Sequence, residues 1–216
     1  MSTLPDDANL ERNHSAMTSG TDRTQPDTAA RILDSAERLV QIAGFNGFSY
    51  ADVAAELQLT KASLHYHFPG KAELGEALIK RYATRFMDAL AEIETGSSGA
   101  RAKLEAYAEL YANVLRDQRT CLCGMLAAEF RTLPAGMQEA VLRFFDENER
   151  WLTHVLEQGA AEGTVTFEGA PCDAARMIVG GLEGAMLVAR PYGDVERFRT
   201  AARQMLVSLT GPAAAR

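Results

Sequence analysis

The residues best suited to chemistry lie in one short segment, Thr60–His67, which carries a lysine, a serine and two histidines. If this segment is a helix capped by Thr60, Leu64 and Phe68 lie one turn apart and face inward. The outward face then consists of Lys61, Ala62, Ser63, His65 and His67. Such a face offers hydrogen-bond donors to phosphates and base edges, and the small Ala62 permits close approach to a thymine methyl in the major groove. The segment is therefore typical of a helix that reads DNA.

Other chemistries fit these residues less well. His65 and His67 are two positions apart, so they point in different directions on a helix, and neither a cysteine nor a carboxylate lies at a useful spacing for a metal. A cysteine-dependent enzyme with Cys121 and His154 as its base would lack an orienting third group and an oxyanion donor. A helical protein-interaction module would want apolar anchors, which this polar helix does not offer. We expect no catalytic site, no metal and no cofactor.

Local signals predict three helices around the segment. A helical repeat of apolar residues ends at Gly44, and Ser49 then stands at an N-cap with Asp52 three residues later. Thr60 caps the next short helix, which stops before the helix-breaking Pro69. The predicted helices are Thr28–Ala43, Tyr50–Leu57 and Lys61–His67. The last two, joined by a tight turn, form a helix-turn-helix unit.

The remainder predicts an all-α fold. One long helix, Lys71–Glu94, has apolar residues at four-residue spacing and should link two domains. Further helices are predicted at 100–117, 121–132, 136–162, 172–190 and 195–210, and no strand pattern of useful length occurs. We expect a disordered arm at 1–27, a three-helix helix-turn-helix DNA-binding domain at 28–74, and a larger C-terminal helical domain for ligand binding and dimerisation at 75–216.

Composition places the protein among reduced, cytoplasmic proteins. Three cysteines are an odd number, no signal peptide is evident, and charged residues or glycine interrupt every apolar stretch. The net charge of −7 argues at first against nucleic acid. Residues 28–90, however, carry seven basic and seven acidic side chains, so the acidic excess lies elsewhere. A neutral reading unit can bind if its cations face phosphates and two copies act together, with a salt-sensitive affinity.

A family resemblance rests on three segments of the N-terminal region. They are Gly44-Phe45, Ser49-Tyr50-Ala51-Asp52-Val53-Ala54 and Thr60-Lys61-Ala62-Ser63-Leu64-His65-Tyr66-His67-Phe68-Pro69-Gly70-Lys71-Ala72-Glu73-Leu74. On these the chain resembles the TetR/AcrR family of transcriptional regulators. The resemblance implies a homodimer on palindromic double-stranded operator DNA, and a C-terminal pocket whose small-molecule effector changes the separation of the reading heads. We expect a repressor, although some regulators of this kind activate.

The expected DNA contacts divide by chemistry. Ser49, at a helix N-terminus, and the cation Lys71 are the expected phosphate contacts. In the family the residue after the position of Leu64 is usually tyrosine, whereas here it is His65 followed by Tyr66, which stacks against the backbone or is half buried. The base-reading candidates are Lys61, Ala62, Ser63 and His67. With Thr60 these residues make up the predicted DNA-binding set.

The last two predicted helices fit a dimer interface. One apolar stripe consists of Ile178, Leu182, Met186 and Ala189, and the next helix carries Phe198, Met205 and Leu209. Small residues that would let a partner helix come close are Gly180, Gly181, Gly184 and Ala185. A four-helix interface about a two-fold axis would result. The alternative is that these stripes form an ordinary core within one chain.

Candidate effector residues are large, adaptable side chains and one cysteine. The former are Met125, Phe130, Phe144, Trp151 and Met177, each of which could instead be plain core. Cys121 opens a predicted helix, where a thiol is more acidic and more reactive, so it could sense electrophiles or oxidants. The segment Cys121–Glu129 is similar to one in the electrophile-sensing branch of the family. The alternative is a half-buried residue without a sensing role.

Overall fold

The computed structural model describes residues 27–210, and within that range the chain is helical and has no strand. The helices are α1 (Thr28–Ala43), α2 (Tyr50–Leu57), α3 (Lys61–His67), α4 (Lys71–Gly96), α5 (Ala100–Arg116), α6 (Leu122–Ala128), α7 (Ala135–Ala161), α8 (Pro171–Ala189) and α9 (Val195–Thr210). Short 3-10 turns lie at Phe130–Thr132 and Arg190–Tyr192. The expected all-α fold is confirmed, and the expected N-terminal arm lies outside the described residues apart from Asp27.

Local caps set the boundaries of α2 and α3. The Asp52 carboxylate accepts a hydrogen bond of 2.7 Å from the Ser49 amide, which completes a capping box. Gln58 has a left-handed backbone with φ of 56° and ends α2. The Thr60 hydroxyl then accepts from the Ser63 amide at 3.1 Å. The three N-terminal helices begin and end where the sequence predicts.

One predicted helix, residues 121–132, is divided in the structure. α6 ends at Ala128, and the chain continues from Glu129 into the 3-10 turn. The Glu129 carboxylate points to the loop after α1, where it accepts hydrogen bonds from the backbone amides of Phe45 and Asn46. The helix thus ends where Glu129 contacts the loop after α1, which lies far away in the sequence.

A buried carboxylate holds α1 against α4. The side chain of Glu37, on α1, is 9% exposed and accepts from Arg81 at 2.9 Å and from Arg85 at 2.5 Å. Both arginines lie on α4, and Arg81 also donates to Asp34 at 2.8 Å. These ion pairs fix the first helix of the head, defined here as α1–α3, on the helix that leads to the rest of the chain.

The C-terminal helices enclose a core with an aromatic centre. Tyr82, Phe86, Tyr107, Tyr111 and Phe144 pack with ring centroids 5.2–6.2 Å apart. The buried Tyr107 hydroxyl is paired, since it donates a hydrogen bond of 3.0 Å to an amide oxygen on α7. No helix among residues 27–210 is long and apolar enough to cross a bilayer.

The predicted dimer stripe is largely core of the single chain. Ile178, Leu182, Met186 and Ala189 are buried, as are Phe198 and Leu209 on α9. The apolar repeat on α8 faces α7 and α9 because α8 packs between these two helices. The assignment of this stripe to the interface is therefore wrong. The exposed side of α8 carries Met177, Gly180, Gly184, Leu187 and Val188 instead.

Replacing Glu37 with alanine is expected to lower the free energy of unfolding by about 2 kcal/mol, because it leaves two arginines on α4 without their buried partner. Urea unfolding followed by circular dichroism measures this change. The matched control is Glu139→Ala, whose ion pair with Arg143 is long and exposed, and it should cost no more than about 0.5 kcal/mol. Equal effects of the two variants would contradict the role given to Glu37.

Candidate functional site

The outer face of α3 is free of intramolecular cover. Tyr66 is 84% exposed, which rules out the half-buried alternative for this ring. Lys61, Ala62 and His65 are also exposed, whereas Ser63 and His67 are half-buried. Leu64 is fully buried and anchors the short helix from its inner side. The face predicted to read DNA is thus the face that the fold presents to solvent.

A depression of about 360 Å³ lies beside this face. It is bordered by Ser49 at the start of α2, by Lys61 and His65 on α3, and by Lys71 at the start of α4. Four of the predicted DNA-binding residues therefore meet at one surface. The other five, Thr60, Ala62, Ser63, Tyr66 and His67, do not border the depression, and the Thr60 hydroxyl is engaged in capping α3.

The His65 ring is held in a defined orientation. Its Nδ1 lies 2.9 Å from the carbonyl oxygen of Pro69, and its ring centroid is 4.8 Å from that of Tyr50. Because a carbonyl only accepts, Nδ1 carries the hydrogen. The other nitrogen, Nε2, is then an acceptor in the neutral ring and a donor in the protonated ring.

Lys71 is engaged inside the head as well as bordering the depression. Its Nζ donates to the Phe48 carbonyl at 2.6 Å and lies 4.7 Å and 4.4 Å from the ring centroids of Phe45 and Phe48. Partial burial lowers the pKa of Lys71, and Glu129 and Asp52 oppose that shift. The sequence suggested a cation for phosphate alone, but this ammonium also ties the loop before α2 to the start of α4.

Tyr50 was not singled out from the sequence, yet it fixes the far end of α3. Its hydroxyl lies 2.9 Å from the Phe68 carbonyl oxygen and 2.6 Å from that of Gly70. Burial, with a smaller contribution from Glu73, raises the pKa of Tyr50 to about 12. The hydroxyl therefore remains protonated and can donate to the turn that ends the helix. An aromatic residue at the start of a short helix gives no such signal in sequence.

The end of α1 is attached to the C-terminal helices by polar contacts. The amide of Phe45 donates to Glu129 at 2.6 Å, and the Asn46 side chain donates to the Thr132 hydroxyl at 2.7 Å. The Thr120 hydroxyl donates to the Gln41 carbonyl at 3.0 Å, and the Arg190 guanidinium donates to the carbonyl of Ile42. We call this set of contacts the α1 junction. Sequence reasoning did not find it, because its partners are 79 to 148 residues apart.

A cavity of about 320 Å³ lies between α6, α7 and α8. Apolar side chains and glycines form most of its wall, with Thr120 and Glu183 as the polar members. Of the predicted effector residues, Met125 borders this cavity. The others lie elsewhere: Phe130 and Phe144 pack in the core, Trp151 stacks on Tyr107, and Met177 is exposed on α8. We call this space the α6–α8 cavity.

Cys121 does not have the acidic thiol that its position suggested. It is the N-cap of α6 and its sulfur accepts from the Gly124 amide at 3.4 Å, but the residue is 1% exposed. Burial first, and then the nearby Glu183 and Cys123, raise its pKa well above the ordinary value. Desolvation and a neighbouring carboxyl thus outweigh the helix N-terminus.

The structure does not provide the geometry for a cysteine-dependent enzyme or for a metal site among the described residues. His154 lies on the exposed side of α7, where its Nε2 is 2.8 Å from the Gln158 side chain, whereas the Cys121 thiol is buried against Tyr82 and Glu183. The proposed cysteine–histidine pair is therefore wrong. Within residues 27–210, no group of three or more histidine, cysteine, aspartate or glutamate residues could hold a metal ion.

Glu183 brings an ionisable group into this apolar region. Burial raises its pKa to about 7, and a hydrogen bond with Cys121 partly opposes that shift. Its Oε1 is out of contact with solvent and has no hydrogen-bond partner among the described residues. Sequence reasoning does not single out this glutamate, because its burial depends on how α8 packs against α6.

The chain matches two family descriptions in the order expected for this architecture. Residues 32–78 match "Bacterial regulatory proteins, tetR family", and residues 100–205 match "Tetracyclin repressor-like, C-terminal domain". A solved TetR-family regulator from Agrobacterium tumefaciens is 34% identical, with a TM-score of 0.82 over 85% of this chain and 97% of that one. The chain belongs to the tetR family of bacterial regulatory proteins.

Other TetR-family members align over most of their length. A regulator from Legionella pneumophila is 31% identical, with a TM-score of 0.79 over 86% of this chain and 99% of that structure. The transcriptional repressor NemR of Escherichia coli strain K12 is 25% identical over 194 residues, which are 88% of this chain and 98% of NemR. The family resemblance inferred from the N-terminal motifs is thus confirmed and extends through the C-terminal helices.

In this TetR-family chain, Glu183→Gln is expected to change how stability depends on pH. The carboxyl titrates near 4.5 when unfolded and near 7 when folded, so its contribution favours the fold at low pH and is lost as the pH rises through 7. Relative to the wild type, the variant should gain about 1–3 kcal/mol of unfolding free energy between about pH 5 and pH 8. Denaturant unfolding at both pH values measures this gain. Glu139→Gln is the exposed control, and a gain of the same size there would contradict the assignment.

Proposed function

We propose that this chain is a repressor that binds a palindromic operator as a homodimer and releases it when an effector occupies or modifies the C-terminal domain. The observation that carries this proposal is the exposed outer face of α3, which is capped at both ends and anchored by Leu64. A protein with this function acts in the cytoplasm, because that is where its operator DNA is. The three free cysteines agree with a reducing compartment.

In the proposed complex, α3 enters the major groove. Ala62, Ser63 and His67 read base edges together with Lys61, which can also contact a phosphate. The ring of Tyr66 stacks on the sugar–phosphate backbone beside the groove. Ser49, at the start of α2, and Lys71 border the phosphate side, while His65 and Thr60 complete the surface. Because the head has no net positive charge, two heads must act together, and affinity falls steeply with salt.

We propose that the exposed side of α8 forms the dimer interface together with α9. Leu187 is 63% exposed and Val188 57% exposed, which is unusual for apolar side chains on a well-packed helix. A Cβ atom built on Gly180 or Gly184 would meet nothing within 4 Å, so a partner helix has room to approach closely. Two copies of this face related by a two-fold axis would bury it.

The effector signal is proposed to pass through α6. This helix borders the α6–α8 cavity along one side, and the Glu129 that follows it holds the loop after α1. A molecule in the cavity that prefers a shifted α6 would therefore shift the head that carries α3. The coupling free energy equals the difference between the free energies with which the effector binds the two positions of α6.

A covalent route to the same outcome is favoured by one contact. The Cys121 thiol interacts with Glu183, which borders the cavity, so a thiol-reactive effector held there would be close to sulfur. Because Cys121 is buried and its pKa is raised, such a reaction requires α6 to open first. This route shares the DNA-binding part of the proposal and differs in the effector.

Selection from a random-sequence duplex library tests the DNA-binding proposal. The wild type should enrich a palindrome, and Lys61→Ala and Tyr66→Ala should each weaken its binding by about tenfold or more, since each removes a direct contact. Lys61→Ala should also reduce the slope of log affinity against log salt by about one. Fluorescence anisotropy with the enriched duplex measures both quantities.

The control for these variants is Arg143→Ala, which removes an exposed cation from α7 and should bind the duplex as the wild type does. Lys71 is a poorer test, because its contacts with Phe48 also support the head. Enrichment of no sequence at low salt would overturn the proposal. Equal losses in Lys61→Ala and Arg143→Ala would show a nonspecific charge effect and contradict the assigned surface.

Glu129→Gln is expected to loosen the α1 junction. The carboxylate accepts from two successive amides, and a neutral amide oxygen is a weaker acceptor, so the Phe45 and Asn46 amides should exchange with solvent about tenfold faster. Hydrogen exchange with site-resolved mass spectrometry measures this rate. The matched change Glu139→Gln should leave both amides unaffected. Unchanged exchange in Glu129→Gln would show that this carboxylate does not hold the head.

A further inference from the structure

The α6–α8 cavity has an unusual distribution of polar groups. Its volume of about 320 Å³ is at the small end of the range for small-molecule sites. No lysine, arginine or histidine is among the residues that border it, and Glu183 is the one ionisable member of its wall. Phe145, Val179 and Leu187 supply apolar surface. A ligand that fits must bury an apolar body and meet one carboxyl group.

The carboxyl of Glu183 is not fully paired. It interacts with the nearby Cys121 thiol, and its Oε1 is buried without any hydrogen-bond partner in the described chain. Buried acceptors in native proteins are almost always paired, so an incompletely paired carboxyl on a residue of the cavity wall indicates a missing donor. The missing donor is not supplied by α6, since the nearest residue there, Gly124, leaves no room for a side chain against this carboxylate.

The surroundings also leave the charge of Glu183 without compensation. The titratable groups that interact with it are Tyr82 on α4, Tyr107 and Tyr111 on α5, and Cys121 and Cys123 at α6. All of these are neutral or become negative on ionisation, and none is a cation. A bound anion would be repelled, and a neutral alcohol would satisfy Oε1 without balancing the charge. A positively charged N–H donor does both.

We propose that the α6–α8 cavity binds a small organic amine with a compact apolar body, whose ammonium group donates a hydrogen bond to the Glu183 carboxyl. The apolar body lies against Met125, Phe145 and Val179. This inference names the effector class of the proposed repressor and rests on that function for its biological meaning. Binding itself depends on the cavity alone. The cavity adjoins the exposed side of α8, so the whole chain in its native oligomeric state is the appropriate material.

Three probes of nearly equal shape test the inference: phenylbutylamine, phenylbutanol and phenylbutyrate. Binding is measured by calorimetric titration of the full-length protein at about pH 8. At this pH the amine is charged, and so is Glu183, whose pKa is about 7. The amine should bind about tenfold or more tightly than the alcohol, as expected for one charge-assisted hydrogen bond, and the carboxylate should not bind. In Glu183→Gln, amine and alcohol should bind within about threefold of each other. Glu139→Gln should keep the wild-type preference.

Equal binding of the three probes, saturable binding of none, or an amine preference that persists in Glu183→Gln would overturn the inference. Circular dichroism of each variant confirms that the fold is intact. Operator binding is measured on the same samples, which separates the two proposals. Protein that binds its operator but shows no amine preference overturns the inference alone, and protein that binds amines but no DNA overturns the proposed repressor.

Discussion

Among the contacts of the α1 junction, one carboxylate ties the DNA-reading head to the C-terminal helices through two successive backbone amides. Glu129 follows α6 and accepts hydrogen bonds from two successive backbone amides at the end of α1, so it serves as a cap for a segment 83 residues earlier in the chain. Without that acceptor, the buried Phe45 amide would have no partner, which is costly. The amides of Phe45 and Asn46 thus take their acceptor from the C-terminal part of the chain and not from the head. Head and effector domain are thereby joined through a polar contact of defined direction.

The head itself illustrates how a very short helix is kept in place. α3 has seven residues, too few to be stable alone, since helix nucleation is unfavourable and few hydrogen bonds repay it. The Thr60 hydroxyl holds its first turn, Tyr50 and His65 hold the turn after its last residue, and Leu64 buries its inner side. Apart from His65, these restraints lie away from the outer face. The other positions of that face can therefore carry side chains suited to a partner instead of to stability.

The success of sequence reasoning followed the range of the interactions concerned. The boundaries of α1–α3 are set by residues within three or four positions of each end, and these were predicted without error. The apolar stripe on α8 predicts a face that is covered by another helix, but a periodic pattern does not say whether that helix belongs to the same chain or to a second chain. Similarly, Cys121 was placed correctly at a helix N-terminus. The direction of its pKa shift depends first on burial and then on Glu183, which lies 62 positions later in the sequence.

The same arrangement explains why a destabilising residue can be kept at the centre of this domain. A glutamate whose carboxyl is buried beside a thiol and three tyrosines costs stability at neutral pH, and an apolar residue there would pack with less penalty. The residue lies on α8, against the first turn of α6, and α6 is followed by the carboxylate that holds the head. A molecule that neutralises Glu183 lowers this energetic cost. The cost falls further when α6 and α8 adjust their positions around the bound molecule. The unfavourable free energy of the buried charge can therefore favour one position of α6 over another when a ligand binds. An apolar residue in the place of Glu183 would not provide this difference.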